Sequence, residues 1–199
     1  MTVNAVPLVL ASKSASRRAM LTAAGVPYTI QPADVDERAL ESALADAAPA
    51  DVALALAEAK ALAVSEAERD ALVLGSDSLV VVEGRRFDKP TSRENAEEHL
   101  RFFSGKVMEL HSGAALARAG QTVWRHGEVA RLHVRALDEA FIAQYLDAEW
   151  PEVAGCVGVF RVEGLGINLF ETVDGSHFTV LGMPLLPVLG VLRTQGVIA

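Results

Sequence analysis

The alternation of apolar and polar positions divides the 199 residues into short apolar runs and helical stretches. Leu8 to Ala11 is an apolar run of strand length. The Ser-rich loop Ser12-Lys13-Ser14-Ala15-Ser16 follows, and Arg17-Arg18 opens a helical pattern that Val26-Pro27 ends. Tyr28 to Gln31 predicts a second strand. Residues 38 to 69, rich in Ala, Leu, Glu and Asp, predict helix interrupted near Pro49 and restarted with Asp51 as N-cap. Ala71 to Leu74 predicts a strand stopping at Gly75-Ser76-Asp77-Ser78. Leu79 to Val82 predicts another, turned by Glu83-Gly84-Arg85-Arg86. Thr91 or Ser92 caps a helix through Phe103, and two long strands, Lys106 to Arg118 and Gln121 to Ala136, meet at Ala119-Gly120. Asp138 caps an amphipathic helix with Phe141, Ile142, Tyr145 and Leu146 inward, closed by Trp150-Pro151. After the glycine-dense tail Gly155 to Val173, Gly182-Met183-Pro184 leads into a final helix of Leu185, Leu186, Leu189 and Leu192. With no internal repeat or linker, this is one α/β domain over residues 1–199, built on a mixed sheet.

Five places in this pattern carry candidate chemistry. A strand, a serine loop and a helix start leave backbone N–H groups unsatisfied toward an anion, and arginine adds a planar fork suited to phosphate. The same serines serve equally as a helix cap beside solvated arginines. Asp34, Asp36 and Glu37 form either a metal-ligand cluster or a solvated loop. Lys60 interrupts the i, i+4 row Val52, Leu56, Val64, so it either snorkels to solvent or carries a positive charge into a cleft. Asp77 lies between two apolar strands, where a carboxylate needs a partner; this makes it the best single candidate for catalysis or metal binding. Glu163 is a lone acid among the tail glycines.

Composition narrows the classes. With 51% hydrophobic residues and 22% charged the chain is globular, and a net charge of −8 without a basic stripe argues against binding nucleic acid. The single Cys156 excludes an internal disulfide framework and fits a reducing compartment. Met1 to Pro7 lacks a basic start and Leu8 to Ala11 is too short for a signal core, so the expected location is the cytoplasm, with no membrane span. There is no Walker A sequence, no G-x-G-x-x-G and no G-x-S-x-G, and the five histidines lack zinc spacing.

In their order and spacing, Ala11-Ser12-Lys13-Ser14-Ala15-Ser16-Arg17-Arg18, Val35-Asp36-Glu37, Lys60, Gly75-Ser76-Asp77, Lys89-Pro90, Ser104-Gly105, Glu163-Gly164-x-Gly166 and Gly182-x-Pro184-Leu185 resemble the Maf family of nucleoside triphosphate pyrophosphatases. The likeness runs from about Leu8 to Arg193. It implies a two-lobed Maf/ITPase-like α/β fold, an elongated mixed sheet with flanking helices around a central cleft, often as a homodimer. The implied reaction is hydrolysis of a nucleoside triphosphate to monophosphate and pyrophosphate with a divalent cation, Mg²⁺ or Mn²⁺. A nucleotide-binding regulator of cell division with little or no turnover is the alternative.

By the same resemblance Asp77 is the catalytic proton acceptor, and Glu37 shares the metal with it. Ser12, Ser14, Arg17, Lys60 and Lys89 bind substrate phosphates. The three base-selecting positions carry Arg, Thr and Gln in a dTTP/UTP branch and Trp, Gln and Glu in a 7-methyl-GTP branch; here they are Ser16, Ser78 and Glu163. Glu163 leans to the second branch, because a carboxylate accepts from the N1–H and N2–H₂ edge of guanine. Ser16, however, offers no aromatic face to a cationic methylated base.

Overall fold

A computed structural model describes residues 6–199. The first five positions, where the domain and the Met1 to Pro7 segment begin, lie outside the described residues. Strand β1 (Leu8–Leu10) is wholly buried and runs parallel to β2 (Thr29–Ile30) and to β3 (Leu72–Val82), with Leu8 opposite Leu72 and Val9 opposite both Thr29 and Val73. Helix α1 (Ala15–Ala23) supplies the crossover that parallel neighbours require. β4 (Arg85–Phe87) returns antiparallel on β3 through Glu83-Gly84, both in the left-handed region. β5 (Val107–Arg118), β6 (Gln121–Val134) and β7 (Phe170–Asp174) complete a seven-stranded mixed sheet in the order β2-β1-β3-β5-β6-β7, with β4 beside β3. The helices are α2 (Glu37–Ala43), α3 (Pro49–Ser65), α4 (Arg93–Phe103), α5 (Glu139–Glu149), α6 (His177–Val180) and α7 (Leu185–Thr194). Two 3-10 turns span Glu152–Gly155 and Leu165–Leu169.

The chain forms two compact units. The first comprises residues up to Ser78, His111–Glu128 and Ser176–Ala199; the second comprises Leu79–Leu110 and Val129–Gly175. β3, β5 and β6 contribute residues to both. In the first unit the strand alternation splits the core in two. Leu8, Leu10, Leu72 and Leu74 pack with Leu21 of α1 and with Val188 and Leu192 of α7, while Val9, Ala11 and Val73 pack with Val64 of α3. Each fully buried leucine contributes about 1.5–3 kcal/mol. Ala57 and Ala61 of α3 lie with Ala115 and Ala117 of β5, small against small. In the second unit Phe87, Phe102, Phe103 and His99 form an aromatic cluster, and Arg93 ties α4 to α5 through Asp147.

Three local expectations change. The strand predicted to stop at Leu74 continues without a break through Gly75-Ser76-Asp77-Ser78 to Val82. Those turn-forming residues stay extended because tertiary partners take up their polar groups, and context outweighs strand propensity. The first helix ends at Ala23, three residues before Val26, where Gly25 takes a left-handed turn at φ 68°. Asp51 is not the cap of α3: Pro49 takes the first position, where no N–H is needed, and Asp51 supports the positive end of the helix from within its first turn. Leu186 on α7 faces solvent, 62% exposed.

Candidate active site

In the first unit the site is built on β3 by removing side-chain bulk beside a charge. Gly75 and Asp77 share one face of the strand. A Cβ on Gly75 would lie 2.1 Å from the Ala57 carbonyl oxygen and 2.6 Å from the Ala61 nitrogen, so α3 rests backbone to backbone on the strand. Gly113 of β5 meets the Ala53 carbonyl in the same way, at 2.7 Å. Lys60 lies on the α3 turn pressed against Gly75, and its Nζ donates to Asp77 Oδ1 at 2.8 Å. The same ammonium is 2.9 Å from Glu37 Oε1, at the start of α2. Of the two directions open to Lys60, the structure takes the inward one.

On the next loop Ser14 caps α1 by accepting from the Arg17 backbone N–H, and Ser12 Oγ accepts from the Ser14 N–H. This turns Arg17 inward, where it is buried. Its Nε donates to the Gly182 carbonyl at 2.9 Å, Nη1 to Ser12 Oγ and Nη2 to Ser78 Oγ, each at 3.3 Å; Nη2 stands 3.9 Å from Asp77 Oδ1. Burial draws the Arg17 guanidinium below its ordinary value, against Asp77 and Glu37, which raise it. Gly182 has φ 95°, and a Cβ there would sit 3.1 Å from Ser78 Oγ. Its carbonyl also accepts from the fully buried Ser76 hydroxyl.

Of the predicted residues, Ser12, Ser14, Arg17, Glu37, Lys60, Asp77 and Ser78 are thus joined by a chain of contacts in the first unit. Ser16 sits in the first turn of α1, partly exposed. Asp34 is exposed, and Asp36 caps α2 by accepting from the Ala39 N–H, so of that acidic trio Glu37 alone reaches Lys60. Sequence reasoning missed Ser76 and Gly113. A glycine amid the small residues of β5 was the signal for the latter.

The second unit carries Lys89, exposed after β4, and Glu163, exposed before the second 3-10 turn. Burial pushes the Cys156 thiol up and Glu163 adds to this, while Arg161 and Lys89 act against it; these charged groups therefore share one neighbourhood.

Glu37 and Asp77 already share one cation, the Lys60 ammonium, and their hard carboxylate oxygens suit Mg²⁺ or Mn²⁺. Among the described residues no group of three or more His, Cys, Asp or Glu is arranged to hold a metal, and an ion on this pair alone would have to take its remaining ligands from water or phosphate. No helix among the described residues is long and apolar enough to cross a membrane.

Residues 7–195 match the family described as Maf-like protein. The chain is 47% identical to a 7-methyl-GTP pyrophosphatase of Mesorhizobium japonicum, over 96% of this chain and 97% of that one. It is 46% identical to a 7-methyl-GTP pyrophosphatase of Brucella suis, over 96% of each chain. It is also 44% identical to a nucleoside triphosphate pyrophosphatase of Rhodopseudomonas palustris, over 97% of this chain and 96% of that one.

Proposed function

The chain belongs to the Maf family, and on that premise we propose that it hydrolyses a nucleoside triphosphate to the monophosphate and pyrophosphate, with a divalent cation and with preference for a guanine-type nucleotide such as 7-methyl-GTP. The observation that carries this reading is the Lys60 ammonium held within 2.9 Å of both Glu37 and Asp77, beside the Arg17 guanidinium. Buried positive charge among fixed carboxylates suits a reaction in which a polyanion binds and a proton must be taken from water.

Glu37 and Asp77 are the residues that would hold Mg²⁺ or Mn²⁺; the chemistry such an ion supplies when bound is charge neutralisation on phosphate and a more acidic water. Asp77 accepts the proton of the attacking water. The water oxygen bonds to the α-phosphorus as the bond from that phosphorus to its bridging oxygen breaks, and pyrophosphate leaves. Three of the five N–H groups of Arg17 hold Gly182, Ser12 and Ser78, which fixes the guanidinium plane and leaves two for a phosphate oxygen. Lys60 and Lys89 offset further phosphate charge, the Ser12 and Ser14 hydroxyls donate to phosphate oxygens, and Glu163 selects the base, with Ser16 and Ser78 at the other two base-selecting positions of the resemblance. Cytoplasmic location and a homodimer accompany the reading as family expectations.

The test is pyrophosphate release by the purified protein with Mg²⁺ or Mn²⁺ across 7-methyl-GTP, GTP, dTTP, UTP and CTP, beside Asp77→Asn. Turnover of a guanine nucleotide, reduced about 10³-fold in Asp77→Asn, is expected. No pyrophosphate from any nucleotide with either ion overturns the enzyme. In that case a nucleotide-induced rise in melting temperature would carry the regulator reading instead.

A further inference from the structure

Glu163 lies on an irregular segment between the two 3-10 turns, outside any strand or helix. A base-selecting carboxylate must be held to well under an ångström, because misplacement of about 1 Å costs up to 10²-fold. The element that holds this segment is α5. Tyr145 and Glu149 stand four residues apart, one above the other on its inner face, and are 4% and 3% exposed.

Tyr145 Oη donates to the Val159 carbonyl at 2.9 Å. Val159 itself is in the left-handed region at φ 55°, which a β-branched residue adopts only where its surroundings over-determine it. One turn further along α5, Glu149 Oε2 accepts from Arg161 Nε and lies 2.9 Å from both Nε and Nη2. Its other oxygen, Oε1, accepts from the Leu165 backbone N–H at 3.2 Å. Glycines let the segment close on this carboxylate. A Cβ on Gly164 would sit 3.3 Å from Glu149 Oε1, and one on Gly166 would strike the Arg161 carbonyl oxygen at 2.6 Å. The Gly164 N–H donates to that same carbonyl. Glu163 is therefore at the tip of a short arch whose two feet, Arg161 and Leu165, stand on the two oxygens of one buried carboxylate.

A seal between a helix and a loop needs only apolar side chains, and a buried carboxylate is costly unless it is fully partnered. This one is fully partnered by the arch alone, and a strained backbone pinned beside it is the mark of a positioned segment. We propose that Tyr145 and Glu149 are positioning residues that fix where the Glu163 carboxylate stands, and so set the preference for a base presenting two adjacent N–H donors without touching the nucleotide. The proposal rests on the reading of Glu163 as the base-selecting residue.

The experiment is kcat and KM for GTP, 7-methyl-GTP and UTP in the full-length protein, for wild type, Tyr145→Phe, Glu149→Gln, Glu163→Gln and the double variant Glu149→Gln/Glu163→Gln. Glu149→Gln is expected to lose about tenfold of the guanine-over-uracil preference in kcat/KM, chiefly through KM. Tyr145→Phe, which removes a single hydroxyl, is expected to lose about fivefold. Because Glu149 acts through Glu163, the double variant should lose no more selectivity than Glu163→Gln alone. A parallel fall for all three nucleotides, an unchanged preference in both α5 variants, or additive losses in the double variant overturns the proposal and leaves α5 a purely structural support. If Glu163→Gln itself keeps the wild-type preference, or wild type has none, the base-selection reading has failed first and the proposal falls with it. Should Glu149→Gln not fold, Tyr145→Phe decides alone.

Discussion

Arg17, Lys60 and Asp77 of the first unit have side chains 9%, 12% and 13% exposed, and each is held by the others on a strand or a helix. Lys89 and Glu163 of the second unit are exposed, and Glu163 stands on an irregular arch. Three ion pairs of the second unit follow the same contrast: Arg93–Asp147, Arg101–Glu139 and Lys106–Glu83 each have a carboxylate more than half exposed, whereas the buried Glu149 beside Arg161 does not. Losing one partner of a buried pair strands a charge away from water, whereas an exposed partner is simply rehydrated. Changes in the first unit should therefore move stability and rate together. Changes at the exposed groups of the second should move binding or selectivity and leave the fold alone.

Beyond Asp77→Asn, the largest effect is expected at Lys60. Lys60→Met should cost about 10²-fold in pyrophosphate release and about 3 kcal/mol in urea unfolding, because Asp77 is left buried without its ammonium partner. A rate loss at full stability would break the contrast. Gly75→Ala comes next. With a Cβ 2.1 Å from a main-chain oxygen, α3 has to move off β3, at a cost of about 1–3 kcal/mol, and the rate should fall as Lys60 retreats from Asp77. Lys89→Met should raise KM about tenfold and leave the unfolding midpoint in place. The smallest effect is expected at His99, whose pKa is held below the ordinary 6.5 by burial and, after that, by Arg85. As pH falls, the unfolded chain takes up this proton before the folded one. The contribution of His99 is thus complete above pH 6.5 and declines below it, and His99→Phe should flatten that part of the curve of melting temperature against pH.

The hairpin at Glu83-Gly84, the caps Ser92 and Asp138 and the long pair β5 and β6 were legible in the sequence, because each rests on local turn or capping chemistry. Asp77 was legible as a charge without company between apolar runs. The direction of Lys60 was not: helical periodicity fixes a face, whereas inward or outward travel of a long side chain depends on the acid it meets, which here comes from β3 and α2. Gly75-Ser76-Asp77-Ser78 read as a break for a related reason. Its polar groups are satisfied by Gly182 and Lys60, distant in sequence, and no local pattern announces such partners. Glu149 escaped notice although it, like Lys60, is a charge on an otherwise apolar helix face. That shared signature could have found it.

The contact at Gly75 also bears on how the site responds to heat and pressure. The distance between α3 and β3 at this point is set by main chain resting on main chain, in an interior that compresses very little, so the base from which Lys60 reaches Asp77 is fixed. Warming should thus leave the spacing of this helix and strand nearly constant up to the unfolding transition, with only the side chains they carry loosening ahead of it.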